Sequence, residues 1–292
     1  MKLACIGDIH GFWDAADTAY FNASRYDGLL LVGDLPRMTG GLREARALSA
    51  LTKPAWMIPG NHDGCSVVQL MAEIRNWRVP AALTSRRMAR RVGALARAMA
   101  PVDLAGYALD RLNENTALIR ARPHAMGPNR FYYAAYMRRA HAVRDFRQSA
   151  QRLKKLVDAA PERIVFMGHN GPAGLGSEPT DPWGCDFSPA FGDFGDPDLA
   201  EAIDHATRQG KQVLAVIAGH MHHRHKRGGA ERVHAVRQQG MLFVNAASVP
   251  RIRQDGARRH HVALTLGDHE AHAADTWVNA EGRIVETQTL GN

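Results

Sequence analysis

Short apolar runs that end in glycine or a polar residue recur along the first quarter of the chain. They predict strands over 2–7, 28–32 and 54–58, and helices over 13–25, 42–51 and 66–75. Strand and helix alternate at the spacing of parallel βαβ units. In such units the loops at the carboxyl ends of the strands form the binding site, so we expect functional side chains there.

From about residue 81 to residue 160 the strand pattern gives way to helical spacing. Apolar residues recur every three or four positions near the end of this segment, at Val143, Phe146, Ala150, Leu153 and Val157. Proline and glycine divide the segment into several helices and a loop. We therefore predict a helical cap over about 81–160, inserted into a single domain that spans 1–292.

The rest of the chain returns to short strands. Strands are predicted over 163–167 and 212–218, with a helix over 198–208 before the second. A long loop of Gly, Pro and Asp follows the first, and its Trp183, Phe187, Phe191 and Phe194 indicate an ordered loop. Closely spaced runs over 241–245, 261–266, 272–278 and 283–289 predict a second sheet of antiparallel hairpins.

Composition limits the class of protein. The chain has 292 residues, of which 45% are hydrophobic, enough for one large globular domain with a substantial core. No apolar run reaches the roughly 20 residues of a membrane helix, and the amino end turns polar at Asp8. We therefore expect a cytoplasmic protein without a membrane partner. Three widely spaced cysteines support neither a disulfide framework nor a zinc knuckle.

Charge is unevenly distributed along the chain. The net charge is +8, but the segment 81–160 alone carries +11 and the remainder −3. The basic segment can be interpreted as a cover that attracts anions to a carboxylate-rich site, or as a solvated helical surface. Its aromatic residues leave a similar choice between stacking on a substrate ring and packing in the core: Phe131, Tyr132, Tyr133 and Tyr136.

Polar side chains follow the predicted strands at their carboxyl ends, usually after a glycine. They are Asp8, His10, Asp34, Asn61, His62, Asp63, His169, His220 and His222. In Asp8-x-His10 and His220-x-His222 the two side chains of an extended step point the same way. Singly, each is weak evidence, because the chain holds 15 histidines and Asn61–Gly64 could be an ordinary turn. Jointly, imidazole, carboxylate and amide donors without thiolate predict an open metal site for Mn, Fe, Zn or Ni.

The order D-x-H, G-D, G-N-H-D, G-H, G-H-x-H resembles that of the calcineurin-like metallophosphoesterase superfamily, over residues 8 to 222. The resemblance implies an α/β sandwich, two mixed β-sheets flanked by helices, with a binuclear metal centre at the strand ends. It further implies one metal on Asp8, His10, Asp34 and His222, and Asp34 bridging to a second on Asn61, His169 and His220. The stretches 169–172 and 245–251 are similar to those of a less characterised branch found in cyanobacteria and plastids.

The implied activity is hydrolysis of a phosphate mono- or diester by a metal-bridging hydroxide. His62 would be the general acid and Asp63 would support it. A small phosphorylated substrate is expected, bound by the basic cap residues or by the loop after His169. The alternatives are a nuclease or nucleotide phosphodiesterase, with nucleic acid on the basic segment, and an inactive binding scaffold.

Two departures from known motifs narrow these expectations. Protein phosphatases of the superfamily carry GDxxDRG and GNHE, whereas Leu35-Pro36-Arg37 follows Asp34 here and Asp63 replaces the glutamate. Both departures argue against protein phosphatase activity. His223, His225 and His234 match no motif and are expected at the surface.

Overall fold

Two mixed β-sheets form the centre of the computed structural model, which describes residues 1–225 and 228–291. The elements run, in chain order, β1 (Lys2–Ile6), α1 (Ala15–Ala23), β2 (Gly28–Leu31), α2 (Leu42–Leu48), β3 (Ala55–Met57), α3 (Val67–Ile74), α4 (Arg78–Met99), β4 (Asp103–Leu104), β5 (Ala108–Arg111), β6 (Thr116–Arg120), α5 (Ala134–His141), α6 (Phe146–Ala159), β7 (Arg163–Asn170), α7 (Pro197–Arg208), β8 (Gln212–Gly219), β9 (Ala235–Gln238), β10 (Met241–Asn245), β11 (Ile252–Arg253), β12 (Arg258–Leu266), β13 (Ala271–Val278) and β14 (Ile284–Leu290).

The first sheet has the strand order β14-β13-β12-β1-β2-β3-β4, with β11 paired to β12. Strands β1 to β4 are parallel, as the βαβ pattern predicts. The second sheet has the order β5-β6-β7-β8-β10-β9, and its central strands β6, β7, β8 and β10 are also parallel. The predicted α/β sandwich of two mixed sheets flanked by helices is confirmed.

The central strands of the first sheet are apolar on both faces because each face is covered. Leu3 and Leu30 belong to the same buried cluster as Phe166 and Val216 of the second sheet, so one face packs against that sheet. Their neighbours Ala4, Ile6, Leu29 and Leu31 pack with buried residues of the helices, among them Phe21, Leu48 and Met99. Successive strand residues point to opposite faces, which explains the continuous apolar runs.

The predicted helical cap over 81–160 requires a correction in its middle. Helices α4, α5 and α6 occupy its two ends, but β4 extends the first sheet and β5 and β6 extend the second. The apolar run of β6 is only Ala117–Ile119, and it ends at a buried charge, Arg120. The Arg120 guanidinium pairs with Asp103 and Asp110. A short strand that ends in a buried arginine lacks the pattern by which the other strands are recognised.

The prediction of a separate sheet formed by the strands at the carboxyl end is also wrong, because these strands join the two sheets already described. Strand β10 pairs in parallel with β8, inside the sheet that β6 to β8 already form. Strands β12, β13 and β14 do form antiparallel hairpins, but β12 pairs with β1 and so extends the first sheet. Local hydrophobic pattern predicts a hairpin without indicating which sheet edge the hairpin joins. None of the helices in the described residues is long and apolar enough to cross a membrane.

Candidate metal centre

The predicted ligands meet where the carboxyl ends of the parallel strands of both sheets come together. Asp8 and His10 follow β1, Asp34 follows β2, and Asn61 follows β3. From the second sheet, His169 lies near the end of β7, while His220 and His222 follow β8. Because parallel strands end on one side of a sheet, side chains far apart in sequence share one site.

The ligand atoms form two groups. In the first, ligand atoms of Asp8, His10 and His222 all lie within 4.8 Å of one another. His222 Nε2 is 3.2 Å from Asp8 Oδ2 and also 3.2 Å from His10 Nε2. These three residues converge as a metal-binding group does.

The second group consists of Asp34, His169 and His220, whose ligand atoms likewise lie within 4.8 Å of one another. Asn61 joins it, because its Oδ1 is 2.9 Å from His169 Nε2. The hydroxyl of Tyr133 donates a hydrogen bond to the Asn61 carbonyl oxygen at 2.6 Å, which positions the Asn61 backbone.

Asp34 lies between the two groups. Its Oδ2 is 3.6 Å from His10 Nε2 and 3.5 Å from His169 Nε2. Its Oδ1 accepts the backbone N–H of His62 at 2.9 Å. One carboxylate oxygen is therefore held by the backbone, and the other faces both groups.

Backbone carbonyls fix the orientation of two ligand rings. His10 Nδ1–H donates to Pro36 O at 3.1 Å, and His169 Nδ1–H donates to Val32 O at 2.7 Å. On each ring Nε2 is then the nitrogen that faces the site. The Nε2 atoms of His10 and His222 lie 3.2 Å apart with carboxylates beside them, an arrangement that suits one shared cation. The second group offers the same kinds of donor atom, so the residues present fit a pair of metal ions.

Electrostatics keep the Asp34 carboxylate ionised. Burial raises the pKa of Asp34, but the charges of His169 and His62 outweigh it and hold the pKa well below its usual value. For His169 burial lowers the pKa, yet Asp34 outweighs this and raises it to about 10. Burial lowers the pKa of His220 to about 3, so this ring is neutral and able to bind a cation. A metal ion would displace the His169 proton.

The backbone at four of these positions is left-handed. The φ angles are +42° at Asp8, +44° at His10, +52° at Asp34 and +66° at His220. Non-glycine residues seldom adopt this region, and Asp, Asn and His enter it more readily than most. Such conformations persist where the surrounding structure fixes them, commonly at functional sites.

Glycines before the ligands permit the close approach of the loops. A Cβ atom on Gly60 would lie 2.2 Å from Asp34 Oδ1, and one on Gly219 would lie 2.3 Å from Asp8 Oδ1. Any side chain at either position would displace a ligand carboxylate. This is the physical reason for the glycine that precedes these ligands in sequence.

His62 lies at the rim of the site, next to ligand Asp34. Its side chain is 24% exposed, and its Nε2 is 3.9 Å from Asp34 Oδ2. Its Nδ1–H donates to the carbonyl oxygen of Met38, which leaves Nε2 as the atom available to a substrate. The ring also packs edge-on against His10, with 5.3 Å between centroids.

The predicted role of Asp63 as a support for His62 is corrected. The Asp63 carboxylate accepts three backbone N–H groups, those of Asp34, Leu35 and Gly60, at 2.7 to 2.9 Å. It therefore ties the β2 and β3 loops together. The His62 ring is oriented by a carbonyl instead, a contact that side-chain patterns do not predict.

The expectation that His223, His225 and His234 lie at the surface is wrong for His223. It is 1% exposed, and its Nε2–H donates to Asn245 O at 2.8 Å. Its ring stacks on that of His234, with centroids 3.5 Å apart. His225 and His234 are half-buried.

Asn245, the first residue of the stretch 245–251, is a positioning residue whose role the motifs do not predict. Its Nδ2 donates to Met221 O at 2.7 Å, between ligands His220 and His222, and to Pro182 O at 2.9 Å in the long loop. Its Oδ1 accepts the N–H of Ala247. The feature that could have indicated this role is the position of Asn245 at the end of β10, a strand that adjoins β8.

A cavity of about 410 Å³ opens beside the ligands. His10, Asp34, Asn61, His62, His220 and His222 line one side of it. The long loop after His169, a predicted substrate-binding element, contributes Asp186, Phe187 and Phe194. Among the described residues, the one Arg or Lys in the lining is Arg224, so the basic residues of 81–160 lie elsewhere. Tyr132, Tyr133 and Tyr136 are all core residues, and of these three Tyr132 also lines the cavity.

The chain belongs to the calcineurin-like phosphoesterase family, whose model matches residues 1–224. The resemblance predicted from the sequence is therefore confirmed. The family is a class of metal-dependent phosphoester hydrolases. No curated protein matches the chain in sequence.

Solved structures with low sequence identity share the fold. One is 12% identical with a TM-score of 0.56, and the alignment covers 93% of this chain and 97% of that one. The protein TT1561 of Thermus thermophilus is 11% identical with a TM-score of 0.52, covering 96% and 98%. A metallophosphoesterase from Sphaerobacter thermophilus is 13% identical, covering 97% and 89%, at a TM-score of 0.34 that supports no structural argument.

Proposed function

We propose that this protein hydrolyses a small phosphate mono- or diester at a two-metal centre. The observation that carries the proposal is the single Asp34 oxygen that lies 3.6 Å from His10 Nε2 and 3.5 Å from His169 Nε2. An oxygen that lies close to both ligand groups is one arrangement by which a carboxylate can bridge two ions. The proposed ligands are Asp8, His10, Asp34 and His222 for one ion, and Asp34, Asn61, His169 and His220 for the other.

The donor set suits Mn, Fe, Zn or Ni. Ions bound there would neutralise phosphoryl charge and make a bound water acidic enough to deprotonate near neutral pH. The chain itself orients the ester: the ligand groups fix where the phosphoryl group lies, and the cavity beside them receives the alcohol part.

His62 is proposed to donate the proton that the departing alcohol needs. As the P–O bond breaks, its electron pair goes to the leaving oxygen, and the proton on His62 Nε2 joins that oxygen. The Met38 carbonyl holds Nδ1–H, so Nε2 is the nitrogen that exchanges the proton. Acid assistance of this kind contributes about a hundred- to ten-thousandfold in rate.

The cavity argues against the nuclease alternative. Binding to nucleic acid depends on Lys and Arg contacts to several phosphates, and in the described part of the chain Arg224 alone supplies such a group to the lining. The inactive-scaffold alternative does not explain why every expected ligand type is retained and converges.

Metal content and turnover measured on two neighbouring variants test the proposal. His62→Gln should keep both metals by elemental analysis and lose about a hundredfold or more in kcat on p-nitrophenyl phosphate. Asn61→Ala should lose metal as well as activity, because its Oδ1 belongs to a ligand group. Loss of metal from His62→Gln would refute its proposed role. A fully metal-loaded wild-type protein inactive on mono- and diesters would support the scaffold.

A further inference from the structure

The cavity beside the ligands has two chemically different sides. Besides the candidate ligands, the lining contains a set of apolar side chains from three separate segments, called the wall here: Leu70, Ile74, Met126, Tyr132, Phe187 and Phe194. Helix α3 supplies the first two, the loop between β6 and α5 the next two, and the long loop after β7 the last two. Several of these side chains also pack in or against the core, so the wall is a continuation of the core that faces the cavity. Apolar side chains that line a cavity beside a few polar groups are typical of a ligand site.

The wall is held in place by its own contacts. The rings of Phe187 and Phe194 pack edge to face, with 5.2 Å between centroids. A Cβ atom on Gly127 would lie 2.2 Å from the Phe194 ring, so glycine is required there for Phe194 to take its position. The Arg130 guanidinium covers the Tyr132 ring at 4.5 Å. These contacts order the surface before a ligand binds.

Two polar side chains of this part of the lining, Tyr132 and Asp186, have partners within the protein. The Tyr132 hydroxyl donates to Asn129 Oδ1 at 3.1 Å. Asp186 accepts from Arg232 Nη2 at 2.9 Å. A sugar or nucleoside would place hydroxyl and amide groups against the six mainly apolar side chains of the wall, and each group left there without a hydrogen-bond partner costs about 1 to 3 kcal/mol. A hydrocarbon or aromatic group would meet complementary surface.

We infer that this wall is a subsite for the alcohol part of the substrate, and that the substrate is a phosphate ester of an apolar, preferably ring-bearing, alcohol. The inference rests on the proposed function, because the phosphate must sit on the ligand side of the same cavity. The volume of about 410 Å³ lies within the range of small-molecule sites.

Turnover of matched esters tests the subsite. With metal-loaded protein, kcat/KM for naphthyl phosphate should exceed that for glycerol phosphate and for a nucleoside monophosphate by about tenfold or more. The same measurement is made with phosphatidic acid in detergent micelles as a further substrate. Preference for it over naphthyl phosphate would identify a lipid as the source of the apolar alcohol, and the reverse preference a soluble ester.

Substitutions in the wall separate the subsite from the chemistry. Ile74 is 46% exposed at the edge of the cavity, so Ile74→Asn should fold normally, and Met126→Gln is the second variant. Each should raise KM for naphthyl phosphate by about tenfold and leave methyl phosphate unchanged. Met71→Gln is the matched control, because Met71 lies on the same helix and is 37% exposed, outside the lining.

Binding distinguishes failure of this inference from failure of the proposed function. Naphthyl phosphonate, which is not hydrolysed, should bind the metal-loaded protein more tightly than glycerol phosphonate by calorimetry. Equal binding, or equal loss for every ester in the wall variants, would overturn the subsite while hydrolysis stands. Selective binding without turnover of any ester would support the subsite and refute the proposed hydrolysis.

Discussion

Two histidine clusters lie side by side in this protein and differ in what faces their nitrogen atoms. At the metal centre, Nδ1 of His10 and His169 is held by a backbone carbonyl, and Nε2 faces other ligand atoms. In the second cluster a single carboxylate, Asp275, accepts from His234 Nδ1 at 2.5 Å and from His260 Nε2 at 2.9 Å. In both clusters the histidine side chains are mostly buried and lie close to one another. The ligand cluster is distinguished by Nε2 atoms that converge on atoms of other candidate ligands, whereas two rings of the structural cluster pair with one carboxylate.

Removing the shared carboxylate of the metal centre should have the largest effect. Asp34→Asn takes the charge from the oxygen that faces both ligand groups. We expect loss of metal from the protein and a fall in kcat/KM of more than about a hundredfold, since even partners behind the ligands can cause that loss. Elemental analysis and steady-state kinetics measure both. Normal metal content in this variant would remove the basis for a bridging role.

His169 of the metal centre and the buried histidines His223 and His260 of the second cluster should make stability depend on pH in opposite directions in chelator-treated protein. The pKa of His169 is raised from 6.5 to about 10 by Asp34 against the effect of burial, so its contribution to stability is full below about pH 6.5 and disappears as pH rises towards 10. Burial lowers the pKa of His223 and His260. Their contribution is present above about pH 6.5 and lost as the pH falls.

Chemical denaturation between about pH 5 and pH 10 measures the free energy of unfolding across both changes. We call the loss of stability towards high pH the alkaline limb and the loss towards low pH the acidic limb, and each should amount to a few kcal/mol at most. His169→Gln should flatten the alkaline limb alone, and His260→Gln should weaken the acidic one. An alkaline limb unchanged in His169→Gln would show that the Asp34–His169 pair does not set it.

The smallest effect is expected from the carboxylate of the second cluster. Asp275→Asn replaces two charge-assisted hydrogen bonds by weaker ones, so the free energy of unfolding should fall by about 1 to 3 kcal/mol. Metal content and kcat should not change. If this variant loses metal, the second cluster supports the ligand loop directly and the contrast between the two clusters fails.

The sequence predicts which side chains come together at the candidate metal centre better than it predicts what supports them. Asp8, Asp34 and His220 each follow an apolar strand at a fixed place, and that regularity carries through to three dimensions. The supports of the site are backbone carbonyls, such as Pro36 O for His10 and Met38 O for His62. A carbonyl is present at every residue, so its partner depends on loop conformation and leaves no mark in the sequence.

Adjacent residues illustrate the same limit. His222 faces Asp8 across the metal centre, whereas His223 turns into the second cluster. The spacing of the motif selects His222, but nothing local indicates where its neighbour points. The membership of β10 and β12 in their sheets was likewise beyond local pattern, because it depends on pairing between distant parts of the chain.

The left-handed backbone at Asp8, His10, Asp34 and His220 restricts how the site can be redesigned. Only glycine adopts these φ angles freely, and Asn, Asp and His tolerate them better than other side chains. A Glu, Cys or β-branched replacement would have to move the loop as well as change the donor atom. A library aimed at a different metal preference can therefore be confined to Gly, Asn, Asp and His at these positions, while His222, which does not share the constraint, can be varied widely.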